Sequence, residues 1–300
     1  MTNHNQFVNL NEYKILNFIG DGAFSNVFMI KCKKTRIKYA AKVIKLMVDE
    51  DTRDDDDTLH IFREVNLISI LNYPSILKFI GYSQTNFDGD PNPTIITEYA
   101  TNGSLKNIIE MEKLGIPPKE WNETKKLINI YGIASGMSYM HKYNVINRDL
   151  KPENILIDDY LYPKISDFGL SKILDTLSAS MNIQSQKGLK GTPIYIAPEI
   201  FSSLEYSKAS DIYAFAFIVY EVITLNNPVL CKNFHTLISK IIKGERPHIL
   251  EDTPDVYRDL IERCWSQEAS MRPSFDEIVE EMKSDDRYIN DLIDEDEFYN

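Results

Sequence analysis

Cysteine is scarce in this chain. Only Cys32, Cys231 and Cys264 occur in 300 residues. They are too few and too scattered for a disulfide framework or a zinc site. A reducing, intracellular and cytoplasmic setting is therefore expected. Basic charge is short as well: 33 Lys and Arg stand against 45 Asp and Glu, leaving a net charge of −12. A nucleic-acid binder needs a basic face to displace counterions, so that class is set aside. Long apolar runs are missing too. The longest, IYAFAFIVYEVITL at 212–225, is too short to cross a bilayer and contains Glu221. It reads as a helix buried inside a domain, and no membrane insertion is expected. The opening MTNHNQFVNLNEY lacks the apolar core of a secretory signal.

What is present suits a globular protein: 43% of residues are hydrophobic and 26% charged. At 300 residues the chain exceeds the usual size of a single core, which predicts one large domain or two lobes. Short apolar segments at 12–20, 26–32 and 38–46, divided by glycines or a charged turn, predict an antiparallel meander. An acidic run, DEDTRDDDDT at 49–58, must be solvated. Helical character follows over 59–71 and stops before Pro74, and SILKFIGYSQ and PTIITEYA then read as two more strands. After Ala100 the texture turns helical. Leu127, Ile130, Ile133, Ala134, Met137 and Met140 share one face of a helix over 123–144. Further helices are predicted at 208–225, 233–243, 254–264 and 274–283. A strand-rich segment followed by a helix-rich one predicts two lobes, with a hinge near Glu98–Gly103 and a cleft as the default ligand site. The acidic end, SDDRYINDLIDEDEFYN, is expected to be loosely ordered.

Five motifs carry chemistry. In IGDGAFSNVF, Gly20 and Gly22 sit at a strand–strand turn, where missing Cβ atoms let backbone N–H groups approach phosphate. The same pattern also suits a bare hairpin. Lys42 in YAAKV lies on a strand between apolar neighbours and must meet an anion, with Glu64 in FREV a candidate, or snorkel to solvent. VINRDLKPENILI gathers Asn147, Arg148, Asp149, Lys151, Glu153 and Asn154 between two apolar runs. In KISDFGLS, Asp167 follows a strand; its carboxylate and the amide oxygen of Asn154 suit a hard cation such as Mg²⁺. GTPIYIAPEI (191–200) and a distant SMRPSF (270–275) complete the set.

Together and in this order, these motifs resemble the eukaryotic protein kinase domain over residues 13–283. The resemblance implies an α+β, bilobal fold. A small five-stranded antiparallel N-lobe with a helix C would span 13–100, a mainly helical C-lobe 101–283, and an acidic tail 284–300. It also implies an ATP-dependent transferase acting on protein substrates with Mg²⁺, or Mn²⁺ in its place. Gly20 and Gly22 would cover the ATP phosphates, and Lys42 would hold the α- and β-phosphates and pair with Glu64. Ile19, Val27, Ala40 and Leu156 would sandwich adenine. Thr97 matches the gatekeeper position, and the backbone of Glu98 and Ala100 would bond the adenine edge. Asp149 would accept or orient the substrate hydroxyl, and Lys151 would neutralise the transferred group. Asn154 and Asp167 would hold the metal. Glu199 would pair with Arg272 structurally. RDLKPEN and GTPIYIAPE resemble serine/threonine kinases, with Thr192 placed to touch Asp149 and Lys151. TEYATNGSL, SDIYAFAFIVYEVIT and CWSQEASMRPSFDEI resemble tyrosine kinases. The combination is similar to the tyrosine-kinase-like group, whose members mostly modify serine and threonine.

Three positions depart from the family pattern. Ser25 replaces a third loop glycine, and Ala216 replaces a helix glycine. Asn147 replaces the histidine that precedes Arg-Asp, whose ring stacks on Phe168 in a column expected to include Ile68 and Phe79. Asn147 is expected to weaken this column, leaving a small void or a hydrogen-bond demand, without removing a group that touches phosphate, so that Asn147→His keeps or raises activity. The rival reading is a pseudokinase acting as an ATP-binding scaffold or allosteric partner; the retained Lys42, Glu64, Asp149, Lys151, Asn154 and Asp167 oppose it. A small-molecule kinase is opposed by GTPIYIAPE, the part that seats a peptide. Arg148 implies regulation by phosphorylation of a loop over 167–199, through an upstream kinase or autophosphorylation. That loop holds Ser171, Thr176, Ser178, Ser180 and Ser185.

Overall fold

The computed structural model describes residues 7–22, 25–45, 65–174, 192–231 and 233–299. The chain divides into two units, Met1–Tyr73 with Leu77–Ala100 and Pro74–Ile76 with Thr101–Asn300.

The first unit holds a five-stranded antiparallel sheet of β1 (Tyr13–Gly22), β2 (Ser25–Cys32), β3 (Lys38–Ile44), β4 (Phe79–Ser83) and β5 (Thr94–Glu98), ordered β1-β2-β3-β5-β4. Side chains alternate across a strand, so register decides which residues share a face. Gly20, Val27, Lys42 and Ile95 lie opposite one another in one row. Met29, Ala40 and Thr97 form the next row on that face. Ile30, Ala41 and Ile96 fall on the other face and close a core with Leu10. Leu10 arrives from the segment before β1, which is tied to the sheet edge where Val8 N–H donates to Tyr82 O at 2.9 Å. On the Lys42 face, Ile44, Val65 and Ile95 form a second small core. Val65 begins the described part of helix α1, residues 65–70. Glu64 and the acidic run at 49–58 lie outside the described residues.

The second unit is mainly helical. It contains α2 (Leu105–Lys113), α3 (Glu123–Lys142), α4 (Ile200–Ser203), α5 (Lys208–Thr224), α6 (Phe234–Ile242), α7 (Asp255–Cys264), α8 (Phe275–Ser284) and α9 (Glu295–Tyr299). Helix α5, apolar on all sides, is buried from Ser210 to Val222 as its composition predicts. Helix α3 starts where Asn122 Oδ1 accepts from Lys125 N–H at 2.9 Å. Gly132 and Gly136 are one turn apart on it. A Cβ at Gly132 would stand 2.7 Å from Pro163 Cγ, and one at Gly136 2.8 Å from Ile165 Cδ1. The bare stripe therefore lets the hairpin of β7 (Ile155–Ile157) and β8 (Pro163–Ile165) lie directly against α3. A second pair, β6 (Val145–Ile146) with β9 (Lys172–Ile173), holds the next stretch.

Arg272 is fully buried and grips Glu199 with both arms of its guanidinium, each at 2.8 Å. It also donates to the carbonyls of Ser266, Ala209 and Gln267. The C-terminal tail is not loose through 299. Asp294 N–H donates to Thr124 Oγ1 at 2.9 Å, Glu297 pairs with Lys125, and Phe298 sets its ring edge against Tyr131. Acidic composition alone could not show that α3 offers a cation and an aromatic ring to receive this segment. Helix α2 and the two- and three-residue strands were also not foreseen, because such short elements carry too little hydrophobic period to register. Among the described residues no helix is long and apolar enough to cross a membrane.

Candidate active site

The polar knot of VINRDLKPENILI folds around the main chain of Asp149. Its N–H donates to Asn147 Oδ1 at 3.1 Å, and its carbonyl accepts from Asn154 Nδ2 at 2.8 Å. Its carboxylate accepts from Lys151 Nζ at 3.0 and 2.8 Å and from Asn154 Nδ2 at 2.8 Å. The loop is anchored from α5: Asp211, 2% exposed, accepts from the N–H groups of Asn147 and Arg148, each at 2.9 Å, and from His141 Nε2 at 2.9 Å. Arg148 adopts a left-handed conformation, φ 71°. Such backbone persists only where the surroundings over-determine it; here the Asp211 carboxylate and the turn closed by Asn147 do so. The Arg148 guanidinium lies over the Tyr206 ring at 4.8 Å. Burial pushes the Asp149 carboxyl above the usual aspartate range; the bonds from Lys151 and Asn154 pull it back, and the Asp167 charge adds to the rise.

Asn154 and Asp167 come from neighbouring elements that are locked together. Ser166 donates to the Asn154 carbonyl through both N–H, at 2.9 Å, and Oγ, at 2.8 Å. Asp167 follows at once, exposed and again left-handed at φ 56°. With Nδ2 of Asn154 committed to Asp149, its amide oxygen faces away from that residue. The oxygen-only pair of Asn154 and Asp167 suits Mg²⁺, which takes one or two protein oxygens and fills its other positions with phosphate and water. Among the described residues no cluster of three His, Cys, Asp or Glu forms a closed metal cage. Thr192 lines the same small pocket as Asp149, together with Arg148, Tyr195 and Ser210. Leu156 is half-buried on β7, opposite in facing to the buried Ile155 and Ile157.

In the first unit, the register puts Gly20, Val27, Lys42, Ala40 and Thr97 on one face. Lys42 is half-buried there and Thr97 buried. Ile19, at an irregularity between Phe18 and Gly20, is exposed. The fold does not require the glycines. A Cβ at Gly20 would meet nothing within 4 Å, and one at Gly22 would reach only Ser25, at 3.4 Å. Their bareness is available for close approach by something outside the protein. Glu98 N–H donates to Lys78 O at 2.9 Å, and its carbonyl accepts from Thr97 Oγ1 at 3.1 Å. Ala100 is buried at the end of this unit. Ser171 donates to Asn147 O at 3.3 Å; Thr176, Ser178, Ser180 and Ser185 lie outside the described residues.

At Asn147 the expected hydrogen-bond demand is present: Nδ2 is buried, with no acceptor in reach among the described residues. Its amide oxygen also makes a specific bond to the Asp149 backbone, because a short side-chain oxygen can close a turn onto the N–H two residues on. Sequence reasoning also missed Asp211, Ser166, Gly132 and Gly136. Asp211 was visible as a lone carboxylate at the head of the apolar SDIYAFAF run, where a buried charge must serve some partner.

The family model for protein tyrosine and serine/threonine kinase matches residues 13–282. The chain belongs to that family, and its α+β architecture is the protein kinase fold. It is 32% identical over 269 residues to dual specificity protein kinase shkC of Dictyostelium discoideum, covering 87% of this chain and 49% of that protein. To a second Dictyostelium protein, named probable serine/threonine-protein kinase drkC, it is 32% identical over 285 residues, covering 92% and 35%. A mimivirus protein whose name includes serine/threonine-protein kinase/receptor R826 is 31% identical over 274 residues, covering 91% and 15%. The chain thus spans less than half the length of each of these relatives.

Proposed function

We propose that this chain is an ATP-dependent protein kinase that transfers the γ-phosphoryl group to serine and threonine hydroxyls of protein substrates. The observation that carries the proposal is the Asp149 carboxylate held by Lys151 and Asn154 beside Asp167. Phosphoryl transfer asks for positioning and charge neutralisation more than for covalent chemistry by the protein. Asp149 orients the incoming hydroxyl and takes its proton as the new P–O bond forms and the bond to ADP breaks. Lys151, already on Asp149, compensates the charge at the reacting oxygens. Gly20 and Gly22 give their backbone N–H groups to phosphate, and Lys42 supplies a further cation, with Glu64 as its partner. Ile19, Val27, Ala40 and Leu156 give the adenine its apolar contacts, below the Thr97 gatekeeper position. The Glu98 carbonyl and the Ala100 backbone bond the adenine edge. Asn154 and Asp167 hold Mg²⁺, or Mn²⁺ in its place, which when bound neutralises phosphate charge.

Lys151 in RDLKPEN favours serine and threonine as acceptors, and the SDIYAFAF and CWSQEASMRPSF segments favour placement in the tyrosine-kinase-like group. We take 13–283 as the kinase domain, divided at Ala100, with 284–300 as a tail. Three free cysteines, two of them buried, support a cytoplasmic setting. The substrates are proteins, and an upstream kinase or autophosphorylation would place phosphate on the 167–199 loop opposite Arg148. The pseudokinase alternative gains no support from a site that keeps Asp149, Lys151, Asn154 and Asp167 in mutual contact or proximity. The test is a transfer assay with ATP and Mg²⁺ on a peptide array. Wild type should label Ser- and Thr-containing peptides, and Asp149→Asn should not. A silent wild type, or labelling that survives Asp149→Asn, refutes the proposal.

A further inference from the structure

We infer that Asn147 is a positioning residue for phosphoryl transfer: its amide oxygen closes a turn onto the Asp149 N–H and thereby aims the Asp149 carboxylate. The inference rests on the kinase function proposed above. Three observations lead to it.

First, the bond is of a defined local kind. A side-chain oxygen of residue i accepting from N–H of i+2 is an Asx turn, and here it spans Asn147 to Asp149 at 3.1 Å. The residue inside the turn, Arg148, is left-handed at φ 71°. An L-residue in that region is disfavoured, so the turn needs external fixing. It has this on both sides: Asp211 takes the N–H groups of Asn147 and Arg148, and Asn147 Oδ1 takes the N–H of Asp149.

Second, the amide orientation is settled by this bond. Turning the amide over would place its NH₂ against the Asp149 N–H, donor against donor. In the orientation shown, Nδ2 is buried, and no acceptor among the described residues lies within hydrogen-bonding distance of it. Asn147 is 1% exposed. A buried donor left without an acceptor is destabilising. A residue chosen only to fill this space would be apolar. The oxygen is the part that the site uses, and the idle nitrogen comes with it.

Third, Asn147 ties three segments together. Its N–H reaches α5 through Asp211, its side chain reaches Asp149, and its carbonyl receives Ser171 Oγ at 3.3 Å from the segment that follows Asp167. Asp149 is then held at its N–H by Asn147, at its carbonyl by Asn154, and at its carboxylate by Lys151 and Asn154. Removing the first of these leaves the carboxylate tethered but frees the peptide plane that carries it.

Asn147→Ala and Asn147→Ser separate this role from packing. Both delete nearly the same volume and both remove Nδ2. Only serine keeps an oxygen that can accept, more weakly, from the N–H two residues on. Asn147→Ala should lower kcat by about ten- to a hundredfold, with KM for ATP and the melting temperature close to those of the serine variant. Asn147→Ser should recover most of the lost kcat. Hydrogen exchange at the Asp149 amide should run fast in the alanine variant, slower in serine and slowest in wild type. Equal kcat and equal exchange in the two variants would overturn the inference and leave Asn147 a packing residue. A wild type that transfers no phosphate would instead refute the kinase function, while the exchange order would still report whether the turn holds Asp149.

Discussion

The catalytic loop and the glycine turn of β1–β2 are built on opposite plans. Around Asp149, nearly every polar group of a short segment is committed to another protein group, and two residues sit in left-handed backbone that only such bonding can hold. Around Gly20 and Gly22 no neighbour among the described residues forces a glycine, and Ile19 is exposed. The first region is fixed by its own bonds. The second leaves its backbone bare, which under the proposed function would let phosphate come close. A charge that handles a proton must be aimed within fractions of an ångström, whereas a turn that covers phosphates gains by coming close and letting go.

Breaking the organised region should have the largest effect. Asp149→Asn is expected to reduce kcat by at least about 10²-fold, the usual contribution of a positioned acid–base group. It should not cost stability at neutral pH. Burial raises the Asp149 carboxyl, so the fold favours its protonated form. Whatever stability this group contributes is fully present below the ordinary aspartate range and is lost as pH rises through the raised value. The neutral asparagine should therefore melt at or above the wild-type temperature near pH 7, with the difference closing under acid conditions. A lower melting temperature near pH 7 would show that the ion pair with Lys151, rather than burial, governs the site.

Ion pairs sharpen the same contrast in stability. Arg272→Ala in the second unit leaves Glu199 and the carbonyls of Ser266, Ala209 and Gln267 without their buried partner. It should cost about 3–5 kcal/mol, as is typical for breaking a buried pair, and move the denaturant midpoint accordingly. Lys45–Asp21, beside the glycine turn, has both side chains largely in water. Lys45→Ala should change stability by no more than about 1 kcal/mol. Comparable midpoints for the two variants would mean that burial does not separate these pairs.

How far each region was legible follows from the scale of its signals. The strands could be read because short apolar segments are divided by glycines and turns, whereas the common face of Val27, Ala40, Lys42 and Thr97 comes from the register of the sheet. Asp149, Lys151, Asn154 and Asp167 could be read because they stand in contiguous motifs. Asn147 was read only in part. Its residue type said only that it was smaller and more polar than histidine, and the turn it closes depends on Arg148 adopting a positive φ, which no periodicity announces. Asp211 and Gly136 were missed for a related reason: their partners, Arg148 and Ile165, are tens of residues away in the chain. The tail was misjudged because Lys125 and Tyr131, which receive it, lie far upstream.

A subtler break concerns pH. Lys151 holds the Asp149 carboxyl down against burial. Lys151→Met should therefore raise it further. The acid limb of kcat/KM against pH should move to higher pH, alongside a loss of kcat. Residual transfer read from pH 5 to 8 by phosphate incorporation into a peptide would show the movement. A limb that stays in place, or moves down, would belong to some group other than Asp149.

The smallest effect is expected at Gly20, and it bears most directly on the open region. If β1–β2 needed this glycine for folding, an added methyl would meet the chain or strain the backbone. It does neither: among the described residues nothing lies within 4 Å of the position, and Gly20 is not among those of positive φ. Gly20→Ala should leave the melting temperature of the unliganded protein unchanged, or slightly raised through a stiffer unfolded chain. Its effect should appear only when phosphate approaches the backbone. KM for ATP should rise by a few-fold, kcat should fall little, and the stabilisation that ATP and Mg²⁺ confer against heat should shrink in step. Gly22→Ala should behave alike, with Ser25 in ordinary contact. A loss of stability without ligand would place the glycines among the requirements of the fold. An unchanged KM with unchanged thermal protection would mean that the nucleotide keeps its distance from this turn, and that the contrast between a prepared catalytic loop and a ligand-completed one is false.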